Sequence, residues 1–295
     1  MNQESVGLNS VRAWVLAARP KTLTAALIPV LVAVALAWAD GVFQWKPALV
    51  CALFASLMQV AANLINDLFD YLKGTDRTDR LGPERACAQG WISVGAMRWG
   101  IALVVSLACM VGAILLLYGG WWLVGIGVAC VVFAFLYTTL LSYCGLGDVL
   151  VLVFFGLVPV AGTYYVQAGV FNWPVAWCAL ACGLVVDTLL VVNNYRDRDT
   201  DRNAGKRTLI VLMGEPFGRY FYLLLGVLAC VGAGALTCFG YRYMALPCLY
   251  LVVHVLTWRR LSRIRSGRAL NQILGDTSRN MFIFAVLLAV ALFLN

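Results

Sequence analysis

Charge is what this sequence has least of. Of 295 residues, 12% are Asp, Glu, Lys or Arg and 62% are apolar. A soluble domain carries roughly a quarter charged residues. A soluble core of this size cannot hide such an excess, whereas hydrocarbon accepts an apolar exterior. Histidine is scarcer still: His254 is the only one, and it stands in an apolar run. The ten cysteines are scattered without a CxxC pair, and the only close pair, Cys178 and Cys182, is one helical turn apart. These absences argue against a zinc site of Cys and His. They fit small core residues in a membrane facing a reducing cytoplasm. A cleavable leader is not expected, because the first apolar run follows Arg12, Arg19, Pro20 and Lys21 and is long enough to remain as a span.

What is present is a series of long apolar runs. A spanning helix needs about 20 mostly apolar residues. The sequence predicts spans near 21–39, 47–69, 99–118, 121–141, 149–168, 174–194, 220–239, 243–258 and 280–294. The expected fold is all-α: one domain over 1–295, a multi-pass bundle of about nine helices. With the N-terminus in the cytoplasm and sides alternating, all but Lys46 and Arg242 of the 22 basic residues fall inside. The C-terminus is then outside. The net charge of +8 belongs to loops at a membrane surface and not to a nucleic-acid site. The external connections are short, so the chemistry is expected in the cytoplasmic loops 70–98 and 195–219.

Those two loops share an echo. The second predicted span ends in Asn63, Asn66, Asp67 and Asp70; the sixth ends in Asn193, Asn194, Asp197 and Asp201. An even number of spans separates them, so both point the same way, as in a parallel repeat of helices 1–4 and 5–8 with its site at the repeat interface. At about 100° per residue each set falls on one stripe about 100° wide. Carboxylates clustered at a membrane helix end repel one another and need neutralising. Hard oxygen donors suit magnesium, which completes its shell with water and substrate phosphates. Lys73, Arg77 and Arg80 follow the first cluster, and Arg202, Lys206 and Arg207 the second. Acid alone suggests a bare cation site; acid with base suggests an anion bridged by metal, here a diphosphate. A transporter with acidic cation sites is the rival from another class, and it predicts charges near the bilayer midplane.

The residues carry a resemblance. Asn66-Asp67-x-x-Asp70 followed by Asp197-x-x-x-Asp201 resembles the paired aspartate motifs of the UbiA superfamily of intramembrane prenyltransferases, over nearly the whole chain. Arg19-Pro20-Lys21-Thr22-Leu23, Lys73-Gly74-Thr75-Asp76, Gly145-Leu146-Gly147-Asp148 with Phe154-Phe155-Gly156, and Asn193-Asn194-Tyr195-Arg196-Asp197 are most similar to the 1,4-dihydroxy-2-naphthoate polyprenyltransferases of menaquinone synthesis. The chain departs from the broader pattern twice. Gly74 stands where a further aspartate is usual, with Asp76 nearby. Between Tyr137 and Tyr143 no basic residue occurs where many members have a lysine.

The resemblance implies a UbiA-like nine-helix fold in a bacterial inner membrane and transfer of a polyprenyl group, with decarboxylation, to dihydroxynaphthoate. Other acceptors are 4-hydroxybenzoate, homogentisate or a porphyrin. Asp67, Asp70, Asp197 and Asp201 are the expected ligands of two magnesium ions, with Asp76 in second rank and Asn63, Asn66, Asn193 and Asn194 completing or orienting the shell. Lys73, Arg77, Arg80, Lys206 and Arg207 are expected on phosphate oxygens, Arg19 and Lys21 beside the site, and Tyr137 against substrate or cation. Asp148 opens the fifth span. Asp187 lies ten residues before Asp197, so about 15 Å deeper by the helical rise, where an ionisable group is a functional candidate.

Overall fold

The computed structural model describes residues 6–74 and 81–295, Ser142 without its side chain. The described residues form helices throughout. Val11–Ala18 is α1, Leu23–Ala39 α2, Trp45–Leu72 α3, Val94–Gly119 α4 and Leu123–Thr139 α5. Gly147–Val151 is α6; it runs through a π-helical stretch at Leu152–Leu157 into α7, Val158–Ala168. Trp173–Asn203 is α8, Leu209–Gly234 α9, Tyr250–Ile264 α10 and Leu270–Phe293 α11. The predicted spans fall mostly on helix; the eighth does so only in part, because residues 243–245 are turn, Leu246–Leu249 is a 3-10 turn and α10 starts at Tyr250. Among the described residues, seven segments are long and apolar enough to cross a membrane, and Leu123–Thr139 is a shorter apolar helix.

Local chemistry explains the boundaries. The Ser10 hydroxyl accepts a hydrogen bond from the Ala13 backbone N–H and opens α1. Arg19 ends α1 in the left-handed region at φ 53°, and Pro20 then starts the short turn that leads into α2. The predicted first span is therefore bent at Arg19. Asn172 and Thr208 cap α8 and α9 with their side chains. Gly214, at φ 85°, interrupts α9 just before Pro216.

The packing is uneven. One core joins α2 to α7–α11; a second joins α1, α3 and α4 through Ala13, Ala17, Ala61, Leu64, Met97 and Ile101. The apolar stretch of α8 is 72% buried and that of α4 only 11%. So α8 is the central post, whereas α4 turns Leu103, Met110, Ile114 and Leu117 outward. Lipid, not protein, covers such a face. Trp38, Trp45, Trp121, Trp122 and Trp173 are exposed at one end of the bundle, where an aromatic belt meets the membrane surface. The Asp40 carboxylate ties that end together, accepting from Tyr164 and Tyr241 at 2.6 Å each.

One close approach positions the N-terminal half of α8. A Cβ at Gly156 would meet the Ala179 carbonyl oxygen at 2.6 Å and the Gly183 Cα at 2.9 Å. Only glycine lets the π-helical stretch lie this close to α8.

Candidate active site

Both acidic clusters lie on uninterrupted helices, α3 and α8, which carry them past the apolar stretch to the same end of the bundle. Lys73, just beyond α3, and Lys206, just beyond α8, converge on the Tyr143 ring, at 4.2 and 5.5 Å from its centroid. Asp201 lies within electrostatic reach of Asp197 and of Asp70. Tyr137 is within reach of Asp70, Asp148, Asp187 and Asp201. Acid and base from both halves therefore share one mouth.

In the first cluster the loop after α3 folds back onto its helix. Asp67 is fully buried and accepts from the backbone N–H groups of Ala86 and Cys87 at 2.8 and 2.9 Å. Hydrogen bonds to a charged group contribute about 1.5–3 kcal/mol each, so Asp67 anchors the loop. Asp70 pairs with buried Arg85 at 2.9 Å. Asn63 donates to the Ala18 carbonyl and the Thr22 hydroxyl, both at 2.8 Å, which fastens the bend carrying Arg19 and exposed Lys21 beside α3. Asn66 accepts from the Thr138 hydroxyl. Lys73 donates to the Thr138 and Thr139 carbonyls at 3.1 and 2.6 Å, at the negative end of α5. Desolvation pulls its amine below the ordinary lysine range, with Asp70 opposing and Lys206 reinforcing. Asp76, Arg77 and Arg80 lie outside the described residues.

In the second cluster each carboxylate finds its cation within five residues along the chain. Arg196 grips both oxygens of Asp197 at 2.7 and 2.6 Å. Its remaining arm donates to Asn271 at 2.9 Å, and the Asn271 amide donates to the Leu81 carbonyl at 2.8 Å. That bridge joins the two loops through the start of α11. Asp201 pairs with Lys206 at 3.5 Å. Arg198 donates to the Tyr195 carbonyl and pairs with Glu215 beside the break in α9. The backbone N–H of exposed Arg207 donates to the Tyr143 carbonyl. Asn193 and Asn194 are half-buried, and Asn194 borders a small cavity with Tyr137 and Asp148.

The donor set fits a hard cation whose shell is shared. Among the described residues, no three Asp, Glu, Cys or His side chains converge into a complete metal cage. A magnesium ion here would take one or two carboxylates and would need outside oxygens, which phosphates can supply. Lys73 and Lys206 put two cations beside Asp70 and Asp201.

Sequence reasoning missed Arg85, Tyr143, Glu215 and Asn271. Arg85 read only as one of many loop cations. Tyr143 marked only the end of a stretch without cations. Asn271 precedes the predicted last span, because α11 begins ten residues earlier than its apolar run.

Fold and site together define a membrane-embedded helical protein that gathers acid and base from both halves at one polar mouth. Residues 26–286 match the model of the UbiA prenyltransferase family, and the chain belongs to that family. It is 38% identical over 235 residues to 1,4-dihydroxy-2-naphthoate octaprenyltransferase of Escherichia coli strain K12, covering 76% of each chain. It is 36% identical to the protein of that name in Mycobacterium tuberculosis, covering 95% of this chain and 96% of the relative. The fold also matches a UbiA homolog from Archaeoglobus fulgidus bound to GPP and Mg2+, at TM-score 0.69 and 13% identity, over 96% of this chain and 100% of that one.

Proposed function

We propose that this protein transfers a polyprenyl group from an allylic diphosphate to 1,4-dihydroxy-2-naphthoate, at the cytoplasmic face of a bacterial inner membrane. The observation that carries the reading is the convergence of Lys73 and Lys206 on Tyr143 beside Asp70 and Asp201, with Asp197 one turn away. The named relatives supply the acceptor.

Asp70, Asp197 and Asp201 would hold magnesium, two ions in this reading, which when bound neutralises the diphosphate and eases its departure. Asp67 holds Ala86 and Cys87 against α3. Lys73 and Lys206 take the phosphate oxygens by charge and so favour the state in which negative charge grows on the leaving group. Arg19, Lys21 and Arg207 add basic charge around the same anion, and the resemblance gives Arg77 and Arg80 the same role. Tyr137 offers its ring face to the allylic cation. The surrounding helices exclude water. The C–O bond to diphosphate breaks, the ring carbon bearing the carboxylate forms the new C–C bond, and carbon dioxide leaves. No net proton is needed.

Purified protein with magnesium, dihydroxynaphthoate and polyprenyl diphosphates of several lengths should release diphosphate and form a prenylated naphthalene. Chelation should stop it. Product with 4-hydroxybenzoate and none with the naphthoate would overturn the acceptor. A labelled diphosphate that yields no product with any aromatic acid would overturn the reading as a whole.

A further inference from the structure

Two carboxyls take no part in the ion pairs above. Asp187 is 1% exposed and Asp148 is 6% exposed. Both oxygens of Asp187 and one of Asp148 are buried without a hydrogen-bond partner. An ionised carboxylate buried this way costs several kcal/mol. The neutral acid also leaves a donor and an acceptor unanswered. Asp148 lies in the first turn of a five-residue helix, and Asp187 is mid-helix in α8.

The backbone places them together. A Cβ at Gly147 would lie 3.4 Å from Leu190, and one at Gly183 would lie 3.1 Å from Leu152. The segment from Gly147 to Leu152 thus runs antiparallel to α8 between Leu190 and Gly183. Asp148 and Asp187 fall inside that paired stretch, within electrostatic reach of each other. Tyr137 is within electrostatic reach of both. Asp148 and Tyr137 border a cavity of about 20 Å3 together with Asn194 and Thr208. A site holding a single water-sized oxygen needs about 10–15 Å3, so there is room for one hydroxyl beside Asp148. The π-helical stretch that follows Asp148 is a distortion often found at functional sites.

We propose that Asp187 and Asp148 form the subsite for the ring hydroxyls of the aromatic acceptor, with Tyr137 against the ring. The proposal rests on the prenyl-transfer reading above and deepens it: the acceptor class is a fused or single-ring aromatic diol. Depth fits. Asp187 lies about 15 Å below Asp197 along α8, an interval that a diphosphate head, the reacting carbon and a bicyclic ring fill end to end. Chemistry fits as well. A phenolic O–H that donates to a carboxylate enriches its ring in electrons, and the reaction asks the ring to attack a cation.

The test measures both substrates separately in the full-length protein with magnesium. Asp187→Asn and Asp148→Asn preserve side-chain shape. Each should raise the acceptor KM about tenfold or more, the loss expected for a hydrogen bond to a charged group. The polyprenyl diphosphate KM should stay within about twofold. A second arm needs no variant: naphthoates lacking one hydroxyl should bind the wild-type protein about tenfold more weakly. That discrimination should largely vanish in Asp187→Asn. Acceptor KM unchanged in both variants, or equal binding of the deoxy analogues by the wild-type protein, overturns the subsite. If Asp187→Asn fails to fold, the analogue arm and Asp148→Asn decide. A wild-type protein that prenylates nothing sinks the parent reading. An active wild type with indifferent variants sinks this inference alone.

Discussion

The two acidic clusters echo each other in sequence but are held by different means. Asp67 and Asp70 are fixed by groups 15 to 20 residues downstream, the Arg85 guanidinium and two loop N–H groups. Asp197 and Asp201 are fixed by Arg196 beside one and by Lys206 just past the end of the same helix. The first half of the site therefore exists only when its loop has closed. The second is organised by α8 and the three residues that follow it. If the halves serve one diphosphate, each is indispensable. Asp70→Ala and Asp197→Ala should each lower turnover by about a hundredfold or more, as losing a preorganised electrostatic group does, while the detergent-solubilised protein stays folded. Product formation near wild type in either variant breaks the symmetry of roles, and with it the metal assignment.

A smaller effect separates the two by mechanism. Asp67→Asn turns an amide N–H toward a backbone N–H and leaves one loop donor unanswered. The expected cost is about 1–3 kcal/mol, read as a lower thermal midpoint together with faster proteolysis between α3 and α4. Asp201→Asn should leave the midpoint alone and raise the KM for diphosphate, because Asp201 has only a 3.5 Å contact to Lys206 to lose. If both variants shift the midpoint alike, the loop-dependent and helix-dependent descriptions merge into one.

Helical periodicity carried much of this into the sequence. It marked the apolar runs, and it placed Asn63, Asp67 and Asp70 on one stripe because α3 is regular to Leu72. It reached Asp197 and Asp201 for the same reason. It could not see what joins different segments. That Asp67 is spent on Ala86 and Cys87, that Asn63 ties down the bend at Arg19, and that Lys73 lies on the end of α5 are tertiary facts with no local pattern. The bend at Arg19 was half legible: Pro20 marked a helix start, but the left-handed residue before it has no signature in an arginine. The orphaned carboxyls were legible only as a depth. Asp187 was visibly too far from the helix end, but its proximity to Asp148 depends on Gly156 and Gly183 letting two segments touch.

The smallest effect concerns the link between the halves. Asn271 accepts from Arg196 and donates to the Leu81 carbonyl, so it fastens the loop of the first cluster to the arginine that orients Asp197. Asn271→Ala removes two hydrogen bonds at about 0.5–1.5 kcal/mol each. Neither carboxylate loses its own partner. The expected outcome is a drop of roughly threefold to tenfold in kcat/KM for diphosphate, within that same energy range, with the loop between α3 and α4 cleaved faster by protease. Asp67→Asn should expose the loop more and Asp201→Asn not at all, which ranks the three on one assay. Wild-type protection and kcat/KM in Asn271→Ala would mean that the loop closes without the bridge, and the two halves would then be coupled only through the ligand they hold in common.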